Sequence, residues 1–365
     1  MSGDLVKRRE FLKTIGIAGV TLAGFSITGC LGPKEAAPAQ KGYPETVKIG
    51  YHPAMCLAGI YIAKDHDMFK RAGIDAKIIE YQAGPPMIPA FQGGEIDIGF
   101  LGGPPAISAM DKGVDVSIIG AAHTEGSAII VRRDSSFKKV EDLEDTIIAV
   151  PMYGSIQDVL TRMVLKEHGL DSSDVRLMEA GELGGVSQLP TLLRRGDIDA
   201  YVAWPPFNEI PLVEGHGRAL LKPSEMIPYN PCCVIAARND FTAEHPGLTK
   251  EILRITDDAS TFTMAYPKEA ARSINNVVGY DVNVAEYSLN FAGWYCALPT
   301  EESIQTTMNI LRNMKELGYI KRDLTRDRVY NLEYIYEVHT ESVHKPGEVG
   351  ARPEIYERVT GIKSA

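Results

Sequence analysis

From Val47 onward, apolar runs of strand length alternate with stretches whose apolar residues recur at helical spacing. VKIGYH (47–52) predicts a first strand, Leu57 to Asp65 a helix, and Asp75 to Tyr81 a second strand after a stop at Gly73. A short helix over Pro86 to Gln92, a strand over Ile96 to Leu101 and a helix over Ala106 to Lys112 follow, then strands at 115–123 and 127–133. The pattern restarts near Phe137, with strands at 146–151, 174–180, 198–204 and 232–238 and helices at 154–169 and 190–195. The rest reads as helical, most clearly PTEESIQTTMNILRNMKELG (299–318), with Thr300 as N-cap and a core stripe of Ile304, Met308, Leu311, Met314 and Leu317. Such alternation predicts an α/β fold with parallel sheets and crossover helices, and the restart predicts two lobes.

One phrase occurs twice. GGEIDIGFLGGPP (93–105) and RGDIDAYVAWPP (195–206) each run from a glycine through an acidic residue and Ile-Asp into a short strand and a proline pair. Gly94 and Gly196 suit the left-handed position after a helix, and the prolines suit the first turn of the next one. In α/β sheets the carboxyl end of a strand, joined to a helix N-terminus, is where ligands bind. Two copies therefore predict two lobes facing one cleft. A third such edge is VPMYGSIQD (150–158), where Ser155 opens a helix and serves either as an anion donor or as its cap. GYHPAMCL (50–57) brings Tyr51 and His52 to a strand end.

The front of the chain changes the compartment. Arg8 and Arg9 precede a thirteen-residue apolar run, Ile15 to Ile27, which is too short to span a bilayer and suits an export signal. The arginine pair resembles a twin-arginine signal, and ITGC (27–30) resembles a lipobox, which makes Cys30 the lipidated first residue of the exported chain. Residues 31–44 read as a flexible tether. The formal charge of −10 includes a net +2 from this leader, so the exported part lies near −12 and is a poor ligand for nucleic acid. Cys56, Cys232, Cys233 and Cys296 show no CxxC spacing, and the histidines show no metal-ligand spacing, so no metal or cofactor is expected. A Cys56–Cys232 bridge, a Cys56–Cys233 bridge and buried free thiols all remain open. No GxSxG, HExxH, P-loop or GxGxxG phrase follows the leader, so no enzyme is expected.

IYIAKDHDMFKRAGIDAKIIEYQAG (60–84), GGEIDIGFLGGPPAISAMDKGVDVSIIG (93–120), MVLKEHGLDSSDVRLM (163–178) and LLRRGDIDAYVAWPPF (192–207) together resemble the nitrate/taurine/sulfonate group of solute-binding proteins, whose relatives include binders of a thiamine pyrimidine precursor. The resemblance implies a type II periplasmic-binding-protein fold with two hinge crossings, near Arg132–Ser135 and near Cys233–Asn239. Lobe one would take 45–132 plus 238–365, including the C-terminal helices, and lobe two 133–237. It implies a monomeric, lipid-anchored receptor that hands a small solute, expected to be an anion such as a sulfonate or nitrate, to an ABC importer, a permease with a cytoplasmic ATPase. The implied ligand-binding positions are Tyr51, His52, Gly102, Gly103, Pro104, Tyr153, Gly154, Ser155, Trp204 and Pro205.

These edges depart from an anion site in having no arginine or lysine beyond Arg132 and Arg133 near the hinge. A sulfonate or nitrate would depend on helix N-termini, hydroxyls and His52. Glu125 and Glu182, in loops that could face the cleft, would instead suit an amine-bearing solute or a pyrimidine. A solute sensor for a membrane kinase is the alternative to transport.

Overall fold

The computed structural model describes residues 46–339 and 350–363. Arg8, Arg9, Cys30 and the 31–44 tether lie outside the described residues. All that follows concerns the compact unit Gln40–Ala365.

Among the described residues, ten strands form two five-stranded sheets. The first has the order β2-β1-β3-β10-β4, with β1 Val47–Tyr51, β2 Ala76–Glu80, β3 Ile98–Gly102, β4 Val116–His123 and β10 Cys233–Arg238. The second has the order β7-β6-β8-β5-β9, with β5 Ala128–Arg132, β6 Ile147–Val150, β7 Arg176–Glu179, β8 Ala200–Ala203 and β9 Gly217–Leu221. Each sheet holds one strand against the grain. β10 runs antiparallel to β3 and β4, and β5 runs antiparallel to β8 and β9. The purely parallel expectation is corrected on this point. β5 and β10 are the strands by which the chain enters the other sheet, so each approaches from the opposite direction to the βαβ units.

The crossings fall earlier than the sequence suggested. The chain changes sheets between His123 and Ala128 and again between Leu221 and Cys233. Ala128–Arg132 therefore belongs to the second sheet, and all of Cys233–Arg238 to the first. The long C-terminal helix Pro246–Ala265 packs on helix Ala58–Asp65 and on β4, which keeps the C-terminal helices with the first sheet. Thr300 caps Glu301–Glu316 as expected, its side chain accepting from Ser303 N–H at 3.2 Å.

The repeated phrase resolves into a shared device. Gly94 and Gly196 both take left-handed φ, +66° and +79°, ending their helices. Asp97 accepts from the backbone N–H of Lys48 at 2.8 Å, and Asp199 accepts from that of Ile147 at 2.9 Å. Each aspartate thus extends a sheet by one side-chain rung onto the start of its neighbouring strand, β1 or β6. After the strands the copies part. Pro104 and Pro105 open helix Gly103–Asp111, whereas Pro205–Pro206 is a cis pair in a turn and the next helix, Ile210–Val213, begins later.

Candidate functional site

The carboxyl edge of the first sheet gathers several elements at one place. His52 follows β1, Gly102 ends β3, His123 ends β4, and Cys232 and Cys233 stand where β10 begins. Cys233 pairs with Gly102 on one side and His123 on the other. The turn holding His52 is fixed from beneath. The fully buried Tyr61 hydroxyl accepts from Ala54 N–H at 2.9 Å and lies 3.0 and 3.2 Å from the carbonyls of Ala54 and His52.

The 204–209 turn after β8 of the second sheet faces this edge. The Trp204 ring meets His52 edge-on, centroids 5.3 Å apart at 72°, and Met55 N–H donates to the Pro205 carbonyl at 2.9 Å. Phe207 continues the aromatic row to Tyr280, whose hydroxyl donates to the Pro53 carbonyl at 2.7 Å. Asn208 holds the turn in shape. Its amide donates to the carbonyls of Gly126 and Ala203 at 3.0 and 2.8 Å, and its oxygen accepts from Ala203 N–H at 3.1 Å. Gly126 has to be glycine, because at φ +94° a Cβ would stand 2.6 Å from the His123 ring.

His52 and Glu209 are neutral at this edge, while the neighbouring thiols of Cys233 and Cys56 hold the Cys232 thiol well below its ordinary range. Burial pushes the His52 imidazole down to about 4, partly offset by the Cys232 charge and a hydrogen bond to the Phe100 backbone. Burial pushes the Glu209 carboxyl up to about 8, so it carries its proton at neutral pH, while the Ser288 hydroxyl donates to its Oε2 at 3.2 Å. Among the described residues no lysine or arginine is buried. His52 Nδ1, Trp204 Nε1, Glu209 Oε1 and Asn230 Oδ1 are buried without a hydrogen-bond partner. Such groups are costly unless something satisfies them, so they mark where a ligand's donors and acceptors would be received.

Of the sequence candidates, Tyr51, His52, Gly102, Gly103, Pro104, Trp204 and Pro205 are buried at these edges. Tyr51 turns its hydroxyl to Glu80 at 2.7 Å. The space a Cβ would take at Gly102 is flanked at 3.5 Å by Ile156 of the second lobe. The third edge is different. Tyr153 is 39% exposed and donates its hydroxyl to the Leu177 carbonyl, while its backbone N–H is taken by Glu179. Gly154 N–H donates to Asp158 at 2.9 Å, and Ser155 accepts from Asp158 N–H at 3.3 Å. Ser155 therefore caps its own helix, and carboxylates already occupy the donors an anion would need. Glu182 is exposed beside Tyr153. Glu125 is buried in the first crossing, accepts from Tyr229 N–H at 3.4 Å, and lines a cavity of about 580 Å³ with Lys222, Tyr229, Asn290 and Trp294.

The sequence missed His123, Glu209, Asn208 and the cysteine cluster as parts of one edge. Only topology brings them together, since β10 returns from the second lobe to lie between β3 and β4. An acidic residue three positions beyond Pro206 was the one signal that could have suggested Glu209.

A model of the NMT1-like family matches residues 40–279 of the chain. An Escherichia coli (strain K12) protein provisionally named for aliphatic sulfonate binding is 26% identical over 261 residues, covering 70% of this chain and 78% of that protein. The crystal structure of the periplasmic aliphatic sulphonate binding protein SsuA from Escherichia coli superposes with a TM-score of 0.70 at 21% identity, covering 80% of this chain and 93% of SsuA. The periplasmic nitrate-binding protein NrtA from Synechocystis PCC 6803 gives a TM-score of 0.66 at 14% identity, covering 80% of this chain and 88% of NrtA. The two-sheet α/β architecture is that of periplasmic solute-binding proteins.

Proposed function

The chain belongs to the NMT1-like family, and from that premise we propose that it is an extracytoplasmic receptor that closes two lobes over a small solute and delivers it to an ABC importer. The observation that carries this reading is the contact across the two sheets, His52 against Trp204 and Met55 N–H to the Pro205 carbonyl. It is formed by strand ends, where α/β folds receive ligands, and it can open by hinge motion at the two crossings. In this reading Arg8 and Arg9 direct export and Cys30 carries the lipid anchor.

The edge chemistry points to the solute class. A sulfonate or nitrate brings a fixed negative charge, which is poorly served where no lysine or arginine is buried and where the Tyr153 and Gly154 amides already face carboxylates. Neutral imidazole, protonated Glu209, indole N–H and an aromatic row instead suit an uncharged, flat nitrogen heterocycle such as a pyrimidine. The sulfonate, taurine and nitrate names of the relatives supply the second reading.

The test is thermal unfolding of the exported chain against aminopyrimidines, alkanesulfonates, taurine, nitrate and bicarbonate. A heterocycle is expected to raise the melting temperature by several degrees at saturating concentration, about 2.7 kcal/mol at a hundredfold excess over Kd. A shift produced by sulfonates alone reverses the solute assignment. No shift with any solute removes the receptor reading.

A further inference from the structure

The cysteines missing from the sequence-based site form the most unusual cluster in the molecule. Cys56 enters from the short helical turn Met55–Leu57 after β1, and Cys232 and Cys233 from the start of β10. Cys56 Sγ and Cys233 Sγ are 2.9 Å apart, and Cys232 precedes Cys233 where β10 begins. One nitrogen of His52 and the sulfurs of Cys56 and Cys233 all lie within 4.8 Å of one another. All three residues are buried, and all four cysteines after residue 45 are free.

We propose that His52, Cys56 and Cys233 form a binding site for a thiophilic divalent cation of the zinc(II) type. The donor set is two sulfurs and an imidazole, which selects soft or borderline metals over calcium or magnesium. A metal with bonds of about 2.3 Å to sulfur and 2.0–2.1 Å to nitrogen holds tetrahedral neighbours roughly 3.3–3.8 Å apart, so binding would widen the thiol contact modestly.

His52 is already prepared as a ligand. Its imidazole feels the Phe100 backbone nearby, and its Nδ1 is buried without a partner. Anchoring one imidazole nitrogen on a carbonyl is how metal-binding histidines are oriented. Charge also balances. The cation displaces one proton from each of Cys56 and Cys233, two protons leave, and the two thiolates neutralise the metal in a region without buried lysine or arginine. The site lies under the strand edge that meets Trp204, so an ion there would tie the loop after β1 to the start of β10 where the solute is received. His52 and Cys56 share the segment after β1, and Cys233 comes from the start of β10 far along the chain, which is why no CxxC-type spacing announced the set.

The test uses the full exported chain, reduced and stripped with a chelator, then titrated with cobalt(II) and zinc(II) without any solute, so its result is independent of the solute panel. The expected result is one equivalent per chain, with a sulfur-to-cobalt charge-transfer absorption that zinc displaces. Cys56→Ser and Cys233→Ser should each weaken zinc binding at least tenfold, while Cys296→Ser should not. Because a buried serine could unfold the chain, alkylation of the wild type supplies a second measurement. Zinc should protect Cys56 and Cys233, read by mass spectrometry. Absence of the charge-transfer band at one equivalent overturns the proposal. So does undiminished uptake by a folded Cys56→Ser/Cys233→Ser chain. A Cys56–Cys233 linked peptide from unreduced protein, with no metal uptake after reduction, overturns it in favour of a disulfide.

Discussion

At the scale of single residues, Glu209 and Trp204 carry the sharpest consequences. Glu209 has its carboxyl raised by burial to about 8, against 4.5 in an exposed chain. Between those two values the unfolded chain has lost the proton and the folded chain keeps it, so stability falls as pH rises from about 4.5 to about 8 and then levels. The whole effect is of order 4–5 kcal/mol. Glu209→Gln keeps the shape and cannot ionise. Its unfolding free energy relative to wild type is therefore expected to improve steadily from pH 5 to pH 8, measured by urea titration at each pH. A constant difference across that range would mean that Glu209 ionises normally in the fold. Trp204→Ala separates two roles. A core tryptophan truncated to alanine costs about 3–5 kcal/mol. Trp204 instead packs on His52 from the other lobe, a contact that opening breaks in any case. The expected result is loss of the solute-induced melting shift with a much smaller change in the unliganded melt. A large loss in the unliganded melt would make Trp204 a core residue.

At the scale of elements, the two copies of the repeated phrase act through their aspartates. Asp97 and Asp199 each receive a backbone N–H from the start of the neighbouring strand, β1 or β6. A charge-assisted bond of this kind is worth about 1.5–3 kcal/mol, and removing the acceptor leaves a strand N–H without its partner. Asp97→Ala and Asp199→Ala should each destabilise by about that much in chemical denaturation, and Asp199→Asn, which keeps an acceptor oxygen, should recover most of the loss. Such strand ends were largely legible in the sequence. Nine of the ten strands lie on apolar runs that local periodicity marks, from Val47–Tyr51 to Cys233–Arg238. Gly217–Leu221 was not, because Arg218 and the half-buried Ala219, Leu220 and Leu221 give an edge strand with no clear alternation. The crossings were misplaced for a related reason. Ala128–Arg132 is as apolar as a first-lobe strand, and nothing local records which sheet it joins. His52, Gly102 and Trp204 were legible because they end strands, while His123, Glu209 and the three clustered cysteines depended on how β10 returns.

At the scale of the whole molecule, the described structure has its strand edges in contact, and the contacts holding them there mix neutral pairs with charged ones, among them the Tyr319 hydroxyl donating to the Asp158 carboxylate. Met55 to Pro205, Ser288 to Glu209 and the His52–Trp204 pair connect the first-sheet side to the turn after β8. Lys166 to Glu316 adds an exposed ion pair at 2.7 Å between helix Ile156–Glu167 and helix Glu301–Glu316. An exposed pair is worth roughly 0–1 kcal/mol. Set against these are buried donors and acceptors without partners at His52, Trp204 and Glu209, which penalise closure when nothing lies between the lobes. The balance predicts that the unliganded chain populates open forms and that a solute satisfying those groups draws it closed, since a ligand shifts such an equilibrium only by its differential affinity for the two forms. Small-angle scattering of the exported chain should therefore show a smaller radius of gyration when the solute giving the largest melting shift is added. Lys166→Ala should leave that change nearly intact, whereas Trp204→Ala should remove it. A radius that is the same with and without solute, together with a retained melting shift, would mean that the lobes are rigid and that the solute enters a preformed site.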